Sequence, residues 1–282
     1  MLKNTKRDMY LGKQGWYPTE SAKAEEFIRQ SMAEIKKDVK ISAGVIVPHA
    51  GWYYSGKLAC QAIGKLQENR KKTDLVIVFG GHQRPNSLPL AENVPIFKTT
   101  FGELEIYPDL LEKLKNRFQI QISDSPIHDN TIELQLPLVK YFFPKAKILA
   151  IYLPPSEEAV KLGEILADIT QNIAAVVIGS TDLTHYGFNY GFTPRGIGRD
   201  ALEWVKNDND AHIIDAMIKM DAEKTLYLSN NEHSACSGGA AAGVIGFVKQ
   251  NDPSIKGHLI DYYTSYDIRP GDSFVGYAGI GY

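Results

Sequence analysis

The chain has 282 residues, a length that suits one large α/β domain or two small ones. Hydrophobic residues make up 44% of it and charged residues 23%, so the composition permits a sizeable core. The formal charge is −2, from 31 basic and 33 acidic side chains, with no basic or acidic block. This balance argues against nucleic acid or an anionic membrane as the main partner.

The sequence gives little indication of a targeting signal, a membrane span or a disulfide framework. The N-terminal charges are not followed by an apolar run, which argues against a secretory signal. The longest apolar runs, such as 148–153, are too short to span a bilayer. The two cysteines, Cys60 and Cys236, do not make a disulfide framework, so a reducing, cytoplasmic setting fits best.

The N-terminal part begins with an aromatic, glycine-broken loop over residues 10–20, which contains Trp16. Taken alone, Trp16 is expected to pack the N-terminus against the core. The apolar spacing that follows predicts a helix over residues 24–35, with Thr19 or Ser21 as its cap.

Two apolar runs then end in the same way. Residues 44–48 stop at His49, and helical periodicity resumes over 57–66; the next run, 75–79, stops at two glycines and His82. Turns of this kind lie at the C-terminal edge of a parallel sheet, where open α/β sheets gather ligands. The spacing suits a β-helix-β crossover, so we expect the two histidines to end neighbouring strands and lie close together.

The middle of the chain alternates further between strand and helix patterns. Residues 83–105 predict a loop with a short hairpin, and 108–117 predict a helix. Residues 128–139 predict the start of a helix that Thr131 is expected to cap, with Glu133 as a polar residue beside its apolar face. A strand over 145–153 precedes a helix whose predicted cap is Ser156.

A fourth buried strand, 174–180, leads into Asp182 and His185, three residues apart. Two helices are predicted over 198–230, and four apolar residues form the inner side of the first: Ile213, Ile214, Met217 and Met220. Cys236 opens a helix of small residues, where the helix dipole favours its thiolate. Closing strands are predicted over 256–264 and 273–280.

The strand ends and the helix start together supply His49, His82, Asp182, His185 and Cys236. Neutral imidazoles with a thiolate suit iron, copper or zinc, and three protein ligands leave an open position. His185, oriented by Asp182, is a candidate acid or base. For any one of these residues alone, a structural role at the sheet edge competes with this interpretation. The repeated strand-end pattern favours a shared site.

Four motifs, at residues 47–56, 80–82, 132–137 and 180–187, resemble the Memo family. They fall in order across nearly the whole chain. That family is similar in fold to class III extradiol dioxygenases, and its prokaryotic members, protein B of the AmmeMemoRadiSam system, go with a radical-SAM protein. The resemblance implies one α/β domain over 1–282, with a mainly parallel central sheet flanked by helices on both faces.

The resemblance also implies a ligand set. His49, His82 and Cys236 match the metal ligands of the family, and it places Trp16 and Tyr54, together with Asp182 and His185, around the same pocket. In the dioxygenases the third ligand is a glutamate, on Fe(II); here a cysteine stands in that place.

These observations lead to one main hypothesis and two others. The main hypothesis is a cytoplasmic, non-heme, dioxygenase-like oxidoreductase that holds iron, with copper or zinc as alternatives, and acts on a small molecule. The second is a non-catalytic binding module whose pocket holds acidic or phosphorylated peptides. The third is a zinc hydrolase with a metal-activated water. No nucleic acid or membrane partner is expected.

Overall fold

A large sheet with a parallel centre runs through the molecule, and the computed structural model describes residues 5–35 and 40–282. The described strands are, in chain order, β1 (Lys6–Arg7), β2 (Gly44–Val47), β3 (Leu75–Gly80), β4 (Leu90–Glu92), β5 (Ile96–Thr99), β6 (Gly102–Glu105), β7 (Gln121–Ser123), β8 (Lys147–Tyr152), β9 (Ala175–Ser180), β10 (His185–Tyr186), β11 (His258–Thr264) and β12 (Phe274–Gly281). The described helices are α1 (Ser21–Ala33), α2 (Lys57–Asn69), α3 (Pro108–Lys115), α4 (Asn130–Glu133), α5 (Leu136–Phe142), α6 (Glu157–Ile169), α7 (Arg199–Trp204), α8 (Asp210–Ile218), α9 (Ala222–Asn231), α10 (Gly238–Asn251) and α11 (Ser265–Ile268).

The order of strands in the large sheet is β10-β12-β2-β9-β3-β8-β4-β7, and β11 pairs with β12 outside this path. The four central strands, β2, β9, β3 and β8, are parallel to one another. Strand β12 closes one side of them and β4 the other, both in antiparallel pairing. A separate three-stranded sheet has the order β1-β5-β6.

The central strands are buried on both faces, as expected for near-continuous runs of valine, isoleucine and leucine. One apolar cluster joins one face to helices α3, α6, α8, α9 and α10. A second cluster joins the other face to α1, α2, α4 and α5. The predicted α/β architecture, with helices on both faces, is therefore confirmed.

Helices α6 and α10 approach each other closely because small residues face the contact. A Cβ atom added at Gly163 would lie 2.2 Å from the carbonyl oxygen of Gly243. At Gly246, an added Cβ would lie 2.5 Å from the carbonyl oxygen of Val160. This contact positions the middle of α10, which is the helix that follows Cys236.

The order of the two histidine-bearing strands differs from the prediction. His49 follows β2 and His82 follows β3, but β9 lies between these strands, so they are not neighbours. The two side chains still meet because only β9 separates their strands: His49 Nδ1 lies 3.2 Å from Oγ of Ser180, the last residue of β9, and the two imidazole centroids are 5.2 Å apart. The crossover from β2 to β3 therefore leaves a gap that a later part of the chain fills.

Two of the three predicted helix caps are wrong, and the third is right in position. Neither Thr19 nor Ser21 caps α1: its N-cap is Glu20, and the Ser21 hydroxyl donates to the Thr100 carbonyl instead. Thr131 does not cap α4; Asp129 does, accepting from the Thr131 amide. Ser156 occupies the N-cap position of α6, but its hydroxyl makes no capping bond.

The helix expected within 128–139 begins at Asn130 and is divided at residues 134–135 into α4 and α5. At this break, Gln135 turns inward and donates to the Pro48 carbonyl at 2.9 Å. Elsewhere, the short hairpin predicted within 83–105 is β5–β6, and the four predicted inner residues of 213–220 are buried. The apolar patterns thus predicted where the helices and strands lie more accurately than where they begin and end.

Two single turns of π-helix adjoin the regular helices. One, Trp52–Gly56, leads into α2 shortly after His49. The other, Val205–Asn209, lies between α7 and α8. Such turns are rare and frequently mark functional sites. Within the described residues, no helix has the length and apolar character needed to cross a membrane.

Candidate metal centre

Three predicted ligands meet at the C-terminal edge of the parallel strands. Donor atoms of His49, His82 and Cys236 all lie within 4.8 Å of one another. Cys236 Sγ is 3.2 Å from His49 Nε2. The two imidazole rings are 5.2 Å apart between centroids and nearly perpendicular, at 88°. The structure thus brings together side chains that are far apart in sequence.

His49 is buried and fixed on several sides. Its backbone amide donates to Asp182 Oδ1 at 2.7 Å, and its carbonyl accepts from Asn130 Nδ2 at 3.2 Å. On the ring, Nδ1 lies 3.2 Å from Ser180 Oγ. Because Nδ1 is engaged, Nε2 is the nitrogen presented to Cys236 and to a metal.

His82 forms the open side of the cluster, since 43% of its side chain is exposed. Its Nδ1 lies 3.4 Å from Asp129 Oδ2, which leaves Nε2 available to a metal. Asp129 is itself held by the Thr131 amide at 2.8 Å. The preceding Gly81 has a φ of +101°, a conformation that favours glycine, so the two glycines before His82 let the chain turn sharply there.

Cys236 comes two residues before α10 begins, in the region where the helix dipole favours a thiolate. Its amide donates to the Asp182 carbonyl at 3.2 Å. Its sulfur lies 3.9 Å from Thr181 Oγ1. The second cysteine, Cys60, is fully buried in α2, as predicted for a core residue.

The protonation of the cluster follows from its charges. Burial opposes the charged form of His49, but Asp182 and Cys236 outweigh it and raise the pKa to about 9. Hydrogen bonds to Asp129 and Cys236 raise the pKa of His82 to about 10. Burial disfavours the Cys236 thiolate, yet the two imidazoles hold its pKa well below the usual value. The cluster alone is therefore a thiolate between imidazolium rings, which lose protons when a metal binds.

Asp182 connects the cluster to His185. Its Oδ2 lies 3.9 Å from both His49 Nε2 and His185 Nε2, a distance for ion pairing and longer than a hydrogen bond. The His185 ring packs against Tyr190, with centroids 4.9 Å apart. The predicted pair is thus assembled, with His185 on the side that faces a large cavity.

The cavity beside the cluster has a volume of about 760 Å³. Asp182, His185 and Arg269 lie on its wall, together with five aromatic side chains: Trp16, Tyr53, Tyr54, Tyr190 and Tyr277. Both predicted wall residues are among them. A smaller cavity of about 230 Å³ reaches Cys236 and shares His185 and Tyr190 with the first. The smaller cavity therefore reaches the cluster itself, and the larger one reaches Asp182 and His185 beside it.

The expectation that Trp16 packs the N-terminus down is wrong. Trp16 is 38% exposed on the cavity wall, and the neighbouring Tyr17 is the buried residue. The Tyr17 hydroxyl donates to Glu133 Oε1 at 3.2 Å, and the Leu11 amide donates to the same oxygen at 2.6 Å. Glu133, the polar residue beside an apolar face, therefore holds the N-terminal segment in place.

Sequence reasoning missed a buried charged group behind the cluster. Arg7 is 2% exposed and donates to Glu92 Oε2 at 2.9 Å. It also donates to the Asp129 carbonyl at 3.3 Å and pairs with Glu133 at 3.5 Å. The only signal in the sequence was Glu133, because Arg7 lies on a strand of two residues that has no detectable periodicity.

The donor set fits a transition metal. Two imidazole nitrogens and a thiolate sulfur, with second partners that orient each ring, suit iron, copper or zinc. The short separations between donor atoms suit one ion, and the exposed side of His82 leaves room for a further ligand.

Comparison with known proteins identifies the family of the chain. The model of the Memo family, described as "Memo-like protein", matches residues 12–281. A MEMO1 family protein of Pyrococcus abyssi is 30% identical over 275 residues, covering 91% of each chain. Another, of Nitrosopumilus maritimus, is 31% identical over 250 residues, covering 84% of this chain and 83% of the relative.

One solved structure extends the likeness to the fold alone. An uncharacterized protein of Escherichia coli K12 matches with a TM-score of 0.51 at 10% identity, covering 84% of this chain and 99% of that one. The fold thus recurs where the sequence does not. The match of the family model over residues 12–281 shows that the chain belongs to the Memo family.

Proposed function

We propose that this protein is a metal-dependent, dioxygenase-like oxidoreductase in which His49, His82 and Cys236 hold iron. The observation that carries the proposal is the approach of these three donors to within 4.8 Å of one another, beside a large cavity. Iron(II) would supply a site for dioxygen and electron density that activates it, while the oxidised substrate would supply the electrons that dioxygen accepts in turnover. A thiolate ligand makes the iron more electron-rich than a carboxylate would, so the proposal does not extend to ring cleavage.

The remaining residues have distinct tasks in this proposal. Trp16 and Tyr54 bind a small molecule against the aromatic wall of the cavity. His185 takes or gives a proton at the substrate atom nearest its ring, and Asp182 stabilises the imidazolium that results. The buried side of the cluster, around His49, excludes water from one flank of the site.

Elemental analysis of protein purified without oxygen tests the metal site. We expect near-stoichiometric iron in the parent protein and little in His49→Ala and Cys236→Ser. Cys60→Ser is the matched control, because it removes the other thiol from a helix outside the cluster and should keep the metal. If the parent takes up no metal even after reconstitution, the three-ligand proposal fails.

The cavity also supports the second function, a binding module for acidic or phosphorylated peptides. The observation that favours it is Arg269, an exposed cation on a wall rich in tyrosine. Binding of a phosphotyrosine peptide that is lost in Arg269→Gln, without oxygen consumption, would support this function over the first. Stoichiometric zinc without oxygen consumption would instead support a hydrolase.

We also propose a cytoplasmic location and a radical-SAM protein as partner. Both cysteines are free thiols, which suits a reducing compartment. The partner is proposed from the family resemblance alone. Size-exclusion chromatography of the two purified proteins, alone and mixed, tests whether they form a complex.

A further inference from the structure

We propose that Asn209 and Asp210 are positioning residues that hold the segment with Asp182 and His185 against the segment with Cys236. The inference rests on the proposed metal centre, whose geometry these residues would set. Neither of them lines the described cavities or touches the three proposed ligands, so their role is indirect.

The two residues lie at the end of the π-helical turn between α7 and α8. Asn209 is 5% exposed and Asp210 is fully buried, although they are consecutive in sequence. They follow polar residues, Lys206 to Asp208, on the same turn. The turn therefore directs two polar side chains into the interior, on the side where the cluster lies.

The Asp210 carboxylate fixes the residue next to His185. Its Oδ1 accepts hydrogen bonds from both the amide, at 3.1 Å, and the hydroxyl of Thr184. Its Oδ2 accepts from the Tyr262 hydroxyl at 2.8 Å. Gly276 leaves the space for this oxygen, because an added Cβ there would lie 1.9 Å from it. The strand end that leads to His185 is thus held by a buried acid.

The Asn209 amide connects the same threonine to the other segment. Its Nδ2 donates to Thr184 Oγ1 at 2.9 Å and to the Glu232 carbonyl at 3.1 Å. Its Oδ1 accepts from Ser234 Oγ at 3.2 Å. Ser234 lies two residues before Cys236, so one side chain bridges both parts of the site.

Direct pairing between the two segments is short. Leu183 and Ala235 form an isolated antiparallel bridge, to which the bond from the Cys236 amide to the Asp182 carbonyl belongs, and the Ser237 amide donates to Thr181 Oγ1 at 3.0 Å. These contacts join residues 181–183 to 235–237 and do not include Thr184, so they leave the angle between the segments weakly determined. The hydrogen bonds of Asn209 and Asp210 fix this angle. They thereby also fix the position of the Cys236 sulfur relative to His49.

Metal affinity in defined variants tests the proposal. We expect Asn209→Ala and Asp210→Ala to weaken zinc binding, measured by competition with a chelator, by about 10-fold, the low end of the effect of losing a direct partner of a ligand, because both residues act through intermediate residues. Asp210→Asn keeps an oxygen for Thr184 and should restore most of the affinity. Thr170→Ala is the control, because its buried hydroxyl bonds only within α6.

Hydrogen exchange of the metal-free protein supplies a readout that does not depend on the metal. Both alanine variants should speed amide exchange in residues 181–186 and 232–237 together, while Thr170→Ala should not. If Asp210→Ala does not fold, Asn209→Ala carries both measurements. A metal-free parent would defeat the proposed function, and exchange would then decide this inference alone. Parent-like affinity in the alanine variants, or faster exchange in one segment only, would overturn it.

Discussion

The backbone amide of His49 donates a 2.7 Å hydrogen bond to one oxygen of Asp182, across the edge where β2 and β9 end. The other oxygen lies 3.9 Å from the rings of both His49 and His185. One buried carboxylate thus fixes the backbone of a proposed ligand and the charge around a proposed acid or base. The two tasks are separable by substitution.

Replacing Asp182 separates them. Asp182→Ala leaves the His49 amide without its partner in a buried position, so we expect the free energy of unfolding to fall by about 1–3 kcal/mol. Asp182→Asn keeps an accepting oxygen and should cost less. Both remove the charge beside His185, so oxygen-consuming turnover should fall about 100-fold or more in each. Urea unfolding with oxygen-electrode measurements checks both effects; equal losses of stability would contradict the assignment.

Arg7 and Lys6 allow the contribution of buried ion pairs to stability to be compared with that of an exposed one. Arg7→Ala leaves Glu92 and Glu133 buried without their cation, and we expect it to lower the free energy of unfolding by about 3–5 kcal/mol. Lys6→Ala breaks an exposed pair with Glu103 and should cost about 1 kcal/mol or less. Urea unfolding measures both. Similar losses in the two variants would mean that the buried group adds no more than the exposed pair.

Asp210 predicts a pH dependence of stability. Burial raises its pKa from 3.8 to about 7, against the hydrogen bonds from Thr184 and Tyr262. Between these values the folded protein binds more protons than the unfolded chain, so this contribution to stability is lost as pH rises from about 4 to about 7. Asp210→Asn does not titrate. Its free energy of unfolding relative to the parent should therefore rise across that window, by up to about 4 kcal/mol.

Urea unfolding of the parent and Asp210→Asn at several pH values tests this sign. Contributions from other groups cancel in the difference between the two proteins. A difference that stays constant across the window, or that falls with rising pH, would contradict a raised pKa for Asp210.

The close contact between α6 and α10 predicts that a single added methyl group lowers the stability of the protein. Gly163→Ala would place a carbon 2.2 Å from a carbonyl oxygen of α10, so the helices must separate. We expect thermal unfolding to show a loss of about 1–3 kcal/mol. Glu164→Ala, on the exposed side of the same helix, should change stability by about 0.5 kcal/mol or less. Parent-like stability of Gly163→Ala would show that the contact can relax.

Much of the fold could be predicted because its central strands are short apolar runs that end abruptly. Runs such as those before His49 and His82 are short, rich in β-branched residues and bounded by proline or glycine, which favours strands over helices. The order of the strands could not be predicted in the same way. Strand β9 enters between β2 and β3 from more than ninety residues further along, and nothing local to either strand marks its neighbour.

The candidate site could likewise be predicted only in part from the sequence. His49, His82 and Cys236 were found because each follows or precedes a regular element in a recurring way. Asn209 and Arg7 were missed because their roles depend on partners far away in sequence. A polar residue on a short strand or an irregular helical turn looks exposed until the tertiary contacts that bury it are known.

The buried pairing of Arg7 with Glu92 and Glu133 has a practical consequence. The family match begins at residue 12, so a fragment cut to the matching region would lack the arginine. It would keep both glutamates in an apolar interior, one of them beneath the segment that carries Trp16. Such a fragment would be destabilised by two buried carboxylates without their cation. If it bound a ligand weakly, the cause would be the missing arginine rather than the chemistry of the cavity.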